Sequence, residues 1–464
     1  MNYDETIQYL YNLQKHGIKF GLQNINRLLS ALHNPHKSFL TVHVGGTNGK
    51  GSTSAIIASV LRTAGFTVGL FTSPHLISFT ERIRVNGEEI TGNDVISIAA
   101  EIRDIVSGFD EFSPTFFEVV TAIAMLYFKR KEIDIAVMEV GMGGRLDATN
   151  IIMPEVSVIT KIGYDHKEFL GDTLREIAWE KAGIIKQDVP VVISYQDREV
   201  LDVIEMTADE KHADLYLYGR DFSSLLKSEN VSALCFDYQE NDSFAIHDLI
   251  LPLTGEHQMQ NASLAIKAAR IVLNNLRVSG SPVHREDTIK YIKDGIAAVK
   301  WPGRLEYIQE DPPILIDAAH NPAAADALAK ALKRTFLETY KKIIIILGIM
   351  ADKDIKGIME PLLPLASEVI LTAPSYSRAA SPEHLADIAH SLGFSDLRIA
   401  PTVKDAIDMA MKTGLRDEDN GSGNLPLAPD PEPSPLVLIT GSFYTIGEAK
   451  EVLGQKGVLT RLRE

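Results

Sequence analysis

Residues Ser38 to Ser54 read S-F-L-T-V-H-V-G-G-T-N-G-K-G-S-T-S. The apolar, β-branched run from Phe39 to Val44 has the pattern of a buried parallel strand. It breaks into a loop carrying Gly45, Gly46, Gly49 and Gly51, and a helical pattern follows with Ile56, Ile57, Val60 and Leu61 on one face. Strand, glycine loop and helix in that order make a nest of backbone N–H groups at a helix N-terminus, which suits a polyphosphate. Lys50 supplies positive charge, and Ser52 or Thr53 a hydroxyl for the phosphates or their metal. The spacing departs from the common G-x-x-x-x-G-K-[ST] pattern. Val44 stands where that pattern begins with glycine, and Gly51 separates Lys50 from the first hydroxyl. The loop is a shortened variant.

At 464 residues the chain is too long for one core, so two or three domains are expected. Its 45% hydrophobic and 23% charged content is that of a soluble globular protein. No apolar run approaches the ~20 residues of a membrane helix. Met1 to Gln14 carries acids and lacks a basic-then-apolar pattern, so no secretory signal is expected. The single cysteine, Cys235, excludes an internal disulfide and fits a reducing cytoplasm. A net charge of −16 argues against nucleic acid as the main partner but leaves room for an anionic small ligand in a local basic pocket.

Along the chain, strands alternate with helices. Thr67–Phe71, Asp134–Val140, Glu155–Lys161 and Val189–Ser194 read as strands; 94–107, 116–130 and 172–186 read as helices. That alternation predicts a doubly wound, mostly parallel α/β sheet. The polar loops follow the carboxyl ends of strands, where such sheets bind ligands. From about 213 to 255 an aromatic alternation suggests β-hairpins decorating this first unit, and His257–Leu273 reads as a helix. K-W-P-G-R-L-E, around Pro302 and Gly303, reads as an interdomain joint. A second α/β run follows, with strands at Ile314–Ile316, Ile343–Leu347, Glu368–Thr372 and Leu436–Thr440. The expected architecture is a P-loop ATPase domain over 1–298 and a smaller Rossmann-like α/β domain over 299–464. The acidic, Pro- and Gly-rich stretch 416–435 reads as a surface loop without chemistry.

Several polar residues need an explanation. Glu139 ends an otherwise apolar strand beside the phosphate loop, a position suited to a nucleotide's magnesium. Ser73, in T-S-P-H-L, could offer a hydroxyl to the same ion. His166 in G-Y-D-H and Lys181 in W-E-K-A-G-I are unremarkable alone; their interest lies in sitting beyond strand ends of one sheet, or near them. D-A-A-H-N-P (317–322) repeats the logic in the second half. There Asn321 and Pro322 read as a helix cap and first turn, which leaves Asp317 and His320 unexplained. L-G-I-M-A-D-K-D (347–354) and T-A-P-S-Y-S-R (372–378) are further polar loops after strands.

Taken in order, F-G-L near 20, G-T-N-G-K-G-S, F-T-S-P-H-L, T-F-F-E, E-V-G-M-G-G-R-L-D-A-T-N, D-H, E-K-A-G-I, W-P-G-R-L-E, D-A-A-H-N-P, D-K-D and T-G-S-F-Y resemble the folylpolyglutamate synthase and dihydrofolate synthase branch of the Mur ligase family. The resemblance covers nearly the whole chain, and the loop at 416–435 is its main departure. It implies an ATP-dependent ligase joining L-glutamate to a folate or a pteroate, acting in the cytoplasm as a monomer. It implies that Gly46, Thr47, Asn48, Gly49, Lys50, Gly51 and Ser52 hold the triphosphate. Asn261, Arg304 and Asp317 match nucleotide-contacting positions. Ser73 and Glu139 match ligands of one Mg2+, and Glu139 and His166 of a second. Lys181 corresponds to a lysine that is carbamylated in the family, and His320 to a position near glutamate and nucleotide. Lys50, Lys181 and His320 are thus the implied catalytic residues. Thr115, Phe116, Phe117 and Glu118, with Leu146, Asp147 and Ala148, match segments lining the pterin site.

The implied chemistry is phosphorylation of a carboxylate to an acyl phosphate, then attack by the amine of glutamate. Because acyl phosphates hydrolyse, closure about Lys300–Arg304 is expected before transfer. Two rivals remain. A cell-wall amino-acid ligase would carry a nucleotide-sugar domain before the phosphate loop, where about forty residues stand, fewer than a domain needs. A nucleotide-dependent switch would explain the loop and Glu139, but not a second α/β unit bearing D-A-A-H-N-P and D-K-D.

Overall fold

The computed structural model describes residues 1–17, 21–109, 112–241, 244–278, 287–416 and 434–454. The stretch 416–435 lies almost wholly outside the described residues. Eleven strands precede the K-W-P-G-R joint: β1 (Leu40–Gly45), β2 (Val68–Phe71), β3 (Ile83–Val85), β4 (Glu88–Glu89), β5 (Ile135–Glu139), β6 (Val156–Ile159), β7 (Val191–Ile193), β8 (Leu215–Leu217), β9 (Phe222–Glu229), β10 (Leu234–Glu240) and β11 (Ala245–Leu251). Six follow it: β12 (Glu306–Glu310), β13 (Pro313–Ile316), β14 (Ile343–Leu347), β15 (Glu368–Leu371), β16 (Leu397–Ile399) and β17 (Leu436–Thr440).

The first sheet has the order β4-β3-β2-β5-β1-β6-β7-β8, parallel from β2 to β8, with β3 and β4 antiparallel at one edge. β1 is central, and its register sets Val44 beside Glu139 and Gly45 beside Ile159. The phosphate loop therefore starts at the level where β5 ends in its acid. Val42 and Val44 on one face of β1 meet Ile56, Ile57, Val60 and Leu61 of the following helix, Lys50–Thr63; all six are fully buried. That helix is covered in turn by the helices Glu256–Val278 and Thr288–Ala297.

Two sequence expectations shift. Leu215–Leu217 extends the first sheet in parallel with β7, and only β9, β10 and β11 form a separate antiparallel sheet. That small sheet lays Phe222, Phe236, Tyr238, Leu249 and Leu251 into the same core as Glu256–Val278, so it is integral rather than decorative. The helix expected over 172–186 spans Leu174–Ala182 and stops at Gly183, which has no side chain to favour the helix over a turn.

The second sheet, β12-β13-β17-β14-β15-β16, is parallel from β13 to β16, with β12 antiparallel at the edge. Its isoleucine-rich β14 (Ile343–Leu347) is buried throughout, as a parallel strand covered on both faces must be. Helices cover both sheets, and the carboxyl edges of the two approach one another around Asn48, Asp165, Arg304 and Asn321.

Candidate active site

The phosphate loop is held from behind by the turn after β6. Thr47 and Asn48 donate backbone N–H bonds to Lys161 O at 3.0 and 3.3 Å. The Thr47 hydroxyl donates to Gly163 O, and Gly163 N–H donates back, each at 3.1 Å. Gly49 adopts φ +92°, a conformation that L side chains rarely take, with Asn261 where a side chain would go. Gly51 packs so closely against the indole of Trp301 that a side chain there would collide with it, so the joint between the halves touches the loop itself. Asn261 is anchored by Gln258, to which it donates at 3.1 Å.

The hydroxyls of Ser52 and Thr53 are buried, and neither has a hydrogen-bond partner. Native proteins rarely leave buried polar groups unpaired, so orphans at a helix N-terminus beside a glycine nest fit a bound anion and its cation. Lys50 Nζ donates to Thr47 O at 3.1 Å, closing the loop on itself.

Glu139 sits at the end of β5, 3% exposed, and accepts from Ser73 N–H at 3.1 Å. Burial pushes its carboxyl up to about 7, against the pull of Lys50, the Ser73 amide, Arg304 and Arg82. Lys181 is 4% exposed and donates to Gly46 O at 2.9 Å. Burial first, and then Lys50, bring its ammonium down to about 7. Around one loop, then, lie a carboxyl and an amine that are both reluctant to carry charge.

His166 is in the left-handed region at φ 50° and begins a short helix. Its ring lies 3.9 Å from Asp165, and desolvation, with Lys353, Lys50 and Lys181, takes it down to about 4 against the pull of Asp165. Ser73 and Glu139 thus meet directly, whereas His166 stands on the Asp165 and Lys181 side of the loop. Among the described residues no three His, Cys, Asp or Glu side chains gather into a ready-made metal cage. A magnesium held by one or two protein ligands, phosphates and water needs none.

Arg304 and Asp317 come from the second half. Arg304 donates to Gly303 O at 2.9 Å, lies over the Phe443 ring at 5.3 Å, and faces Asp317 and Glu139. Asp317 accepts from Leu305 N–H at 3.0 Å and Ala319 N–H at 2.9 Å. His320 Nδ1 bonds Ala318 O at 2.8 Å, its ring packs on Phe443, and its Nε2 lies 3.6 Å from Asp165.

Two residues at this boundary, Asp165 and Lys353, had no role in the sequence reading. Asp165 receives Lys353 Nζ at 2.7 Å and Asn321 Nδ2 at 3.3 Å, bridging the two sheets. Although burial opposes its charge, His320, His166 and Lys353 hold its carboxyl well below the usual range. Asn48 and Asn321 pair amide to amide at 3.1 and 2.9 Å, so the phosphate loop bonds directly to D-A-A-H-N-P. Asp165 stood inside the quoted G-Y-D-H and Lys353 inside D-K-D. Only their shared position in space gives them meaning.

In the segments expected to line a pterin, Thr115 and Glu118 form a reciprocal capping box at the start of the helix Phe116–Arg130, with Glu118 accepting from Thr115 N–H at 2.7 Å. Phe116 stacks on Tyr11, and Phe117 packs on Phe71 and the backbone of Gly141. Leu146 is half-buried; Asp147 caps the short turn Ala148–Ile151. The Asp147 carboxylate faces inward, accepting from Met142 N–H and Thr149 N–H at 3.0 Å each.

Residues 44–269 match the Mur ligase middle domain, and residues 303–420 match the Mur ligase glutamate ligase domain. A dihydrofolate synthase/folylpolyglutamate synthase of Bacillus subtilis is 34% identical over 97% of this chain and 99% of its own length. A folylpolyglutamate synthase of Mycobacterium tuberculosis complexed with ADP superimposes with a TM-score of 0.87 at 32% identity, over 98% of this chain and all of that one. An FPGS–AMPPCP–folate complex superimposes with a TM-score of 0.80 at 32% identity, again over 98% of this chain and all of that one.

Proposed function

The chain belongs to the Mur ligase family, in its folylpolyglutamate synthase/dihydrofolate synthase branch, and from that premise we propose that it is an ATP-dependent ligase adding L-glutamate to a folate. The observation that carries this reading is the convergence of two sheets on one loop: Lys50 and Glu139 from the first, Arg304 and Asp317 from the second. A nucleotide switch needs only the first set.

In the proposed reaction an oxygen of the acceptor carboxylate attacks the γ-phosphorus of ATP, the bond to ADP breaks, and an acyl phosphate forms. The amine of glutamate then attacks the acyl carbon. A C–N bond forms and phosphate departs with the electrons of the C–O bond. Lys50 and the loop amides at 46–52 hold the phosphates and neutralise charge developing on the transferred group. Ser52, Ser73 and Glu139, with His166 on the far side of the loop, are the residues we assign to Mg2+. When bound, the ion supplies Lewis-acid stabilisation of the phosphoryl oxygens. Two such ions are the family's arrangement, and the unpaired Ser52 hydroxyl and the buried Glu139 carboxyl fit a cation there.

Lys181 at about 7 has a large share, about half, as the free amine near neutrality, the form that reacts with carbon dioxide. That supports its assignment as the carbamylated lysine. Arg304, reaching from the second sheet toward Glu139, orients the nucleotide phosphates, and His320 stands where the incoming glutamate meets them. Asn261 is assigned to the nucleotide, and Phe116, Phe117 and Leu146–Ala148 to the acceptor.

We further read the chain as two domains, 1–298 and 299–464, acting as a monomer in the cytoplasm without nucleic-acid or membrane partners. No helix among the described residues is long and apolar enough to cross a membrane. The decisive experiment offers dihydropteroate and tetrahydrofolate separately, each with ATP and glutamate, and identifies products by mass. Glutamate addition to either supports the ligase, and addition to both makes it bifunctional. ATP turnover indifferent to acceptor and glutamate would favour the switch.

A further inference from the structure

One polar residue in the quoted stretch is used by none of this chemistry. His43 lies inside β1, three residues before Gly46, and its side chain is fully buried. It projects from the face opposite Val42 and Val44, because side chains alternate along a strand. There its Nε2 lies 2.8 Å from the hydroxyl of Thr149. That hydroxyl in turn donates to Asp147 Oδ1 at 2.5 Å. A hydroxyl has one proton, and here it goes to the carboxylate. The oxygen of Thr149 must therefore accept from His43, which places the imidazole proton on Nε2 and leaves Nδ1 bare. The Nδ1 atom is indeed buried with no partner.

The rest of L-D-A-T-N is held in the same way. Asn150 Nδ2 donates to Arg145 O at 2.9 Å and Gly183 O at 3.0 Å, and Lys186 Nζ donates to Asn150 O at 2.7 Å. The carboxylate of Asp147 organises the loop through the amides of Met142 and Thr149, and His43 is the outermost member of that chain.

We propose that His43 is a positioning residue for the acceptor: through Thr149 and Asp147 it holds the turn Leu146–Ala148 at a set distance from the strand that feeds the phosphate loop. This rests on the folate-ligase reading, which assigns that turn to the acceptor. Its consequence is selective. The relay acts on the acceptor-lining turn, while the nucleotide loop is fastened independently by Lys161, Gly163 and Lys181. Burial holds the imidazole down to about 3, with Lys186 adding to the effect, so the His43 ring stays neutral across the working pH range; burial pushes the Asp147 carboxyl up, against the hydrogen bonds from Thr149, Met142 and Gly141.

The test uses His43→Leu, His43→Gln and Thr149→Val in the full chain, assayed with tetrahydrofolate, ATP and glutamate. His43→Leu and Thr149→Val are each expected to raise the KM for tetrahydrofolate about tenfold, the size of one lost hydrogen bond in a charged chain. The KM for ATP should stay within about twofold, since no hydrogen bond to the loop is touched. His43→Gln keeps an N–H near the Nε2 position and should restore most of the loss, and the double variant should be no worse than either single one. An unchanged KM for tetrahydrofolate, or an equal rise for both substrates, would overturn the proposal. Should the variants fail to fold, nitrogen-15 imidazole spectra of the wild-type protein decide it. The Nε2–H tautomer, unchanged between mildly acidic and mildly alkaline pH, is required; an Nδ1–H or doubly protonated ring would overturn it. Failure of the underlying reading shows differently, as wild-type ATP turnover that ignores tetrahydrofolate.

Discussion

The carboxyl edges of the two sheets carry similar residues and use them differently, although burial pushes up the acid on each, Glu139 and Asp317. On the first edge Glu139 and Lys181 are both displaced to about 7 by burial, and the hydroxyls of Ser52 and Thr53 have no partner. On the second, Asp317 accepts two amides, Asn321 caps its helix, and Lys353 is paired with Asp165 across the boundary. Each buried, unpaired polar group costs about 1–3 kcal/mol. The first edge therefore holds a deficit that a phosphate and a cation would relieve. On the second, Asn321, Lys353 and their partners grip the neighbouring sheet, although the Thr372 hydroxyl just after β15 is buried there without a partner.

The comparison breaks first at Lys50. Lys50→Ala should lower ATP- and folate-dependent turnover by more than about a thousandfold. Its unfolding temperature should stay within a few degrees of wild type, because the side chain's one hydrogen bond in the structure is local. Near-normal turnover would remove the first edge from the chemistry. Glu139→Gln should cost about a hundredfold in kcat, and a loss confined to the KM for folate would show that the acid is not on the phosphate side.

Next come the residues that grip. Asp165→Asn and Lys353→Met should each lower kcat/KM for glutamate about ten- to a hundredfold. As partners in one contact, they should be strongly non-additive in the double variant. Full additivity would mean that the Asp165–Lys353 pair does not couple the two edges.

The pH dependence of unliganded stability should separate the two displaced groups. Glu139 has a folded value of about 7 against an ordinary 4.5, so the fold binds the extra proton between them and stability falls as pH rises through that window. Lys181, about 7 against 10.5, does the reverse: the unfolded chain holds the extra proton, and stability rises from pH 7 toward 10.5. Denaturant titrations should show Glu139→Gln flattening the lower limb and Lys181→Met the upper. A variant that leaves its limb unchanged would show that the group is not displaced.

The smallest effect is expected at Thr115. Thr115→Ala should cost about 1 kcal/mol of stability through the lost cap, read as a fall of a few degrees in Tm, with the KM for folate changed less than threefold. A large rise in that KM would return the Thr115 side chain to the acceptor.

Much of this was legible along the chain because it is local. The apolar run into four glycines, the four-residue buried face Ile56–Leu61, and strands ending in Glu139 or Asp317 follow from periods of 2 and 3.6 and from glycine's freedom, which neighbours alone determine. The phosphate loop, the two parallel sheets and Lys50 were readable on that ground. Glu118 was readable as a member of T-F-F-E in a helix expected over 116–130, and the structure adds its reciprocal capping box with Thr115.

The tertiary structure decided what distance in sequence concealed. Asn48 and Asn321 pair across 273 positions, and Asp165 and Lys353 across 188. No periodicity connects such residues, because the energy that joins them exists only after both sheets have formed. Burial also decided the chemistry of Glu139, Lys181 and His43. Their residue types announce an acid and two bases, but the protonation each one keeps depends on the water that folding removes.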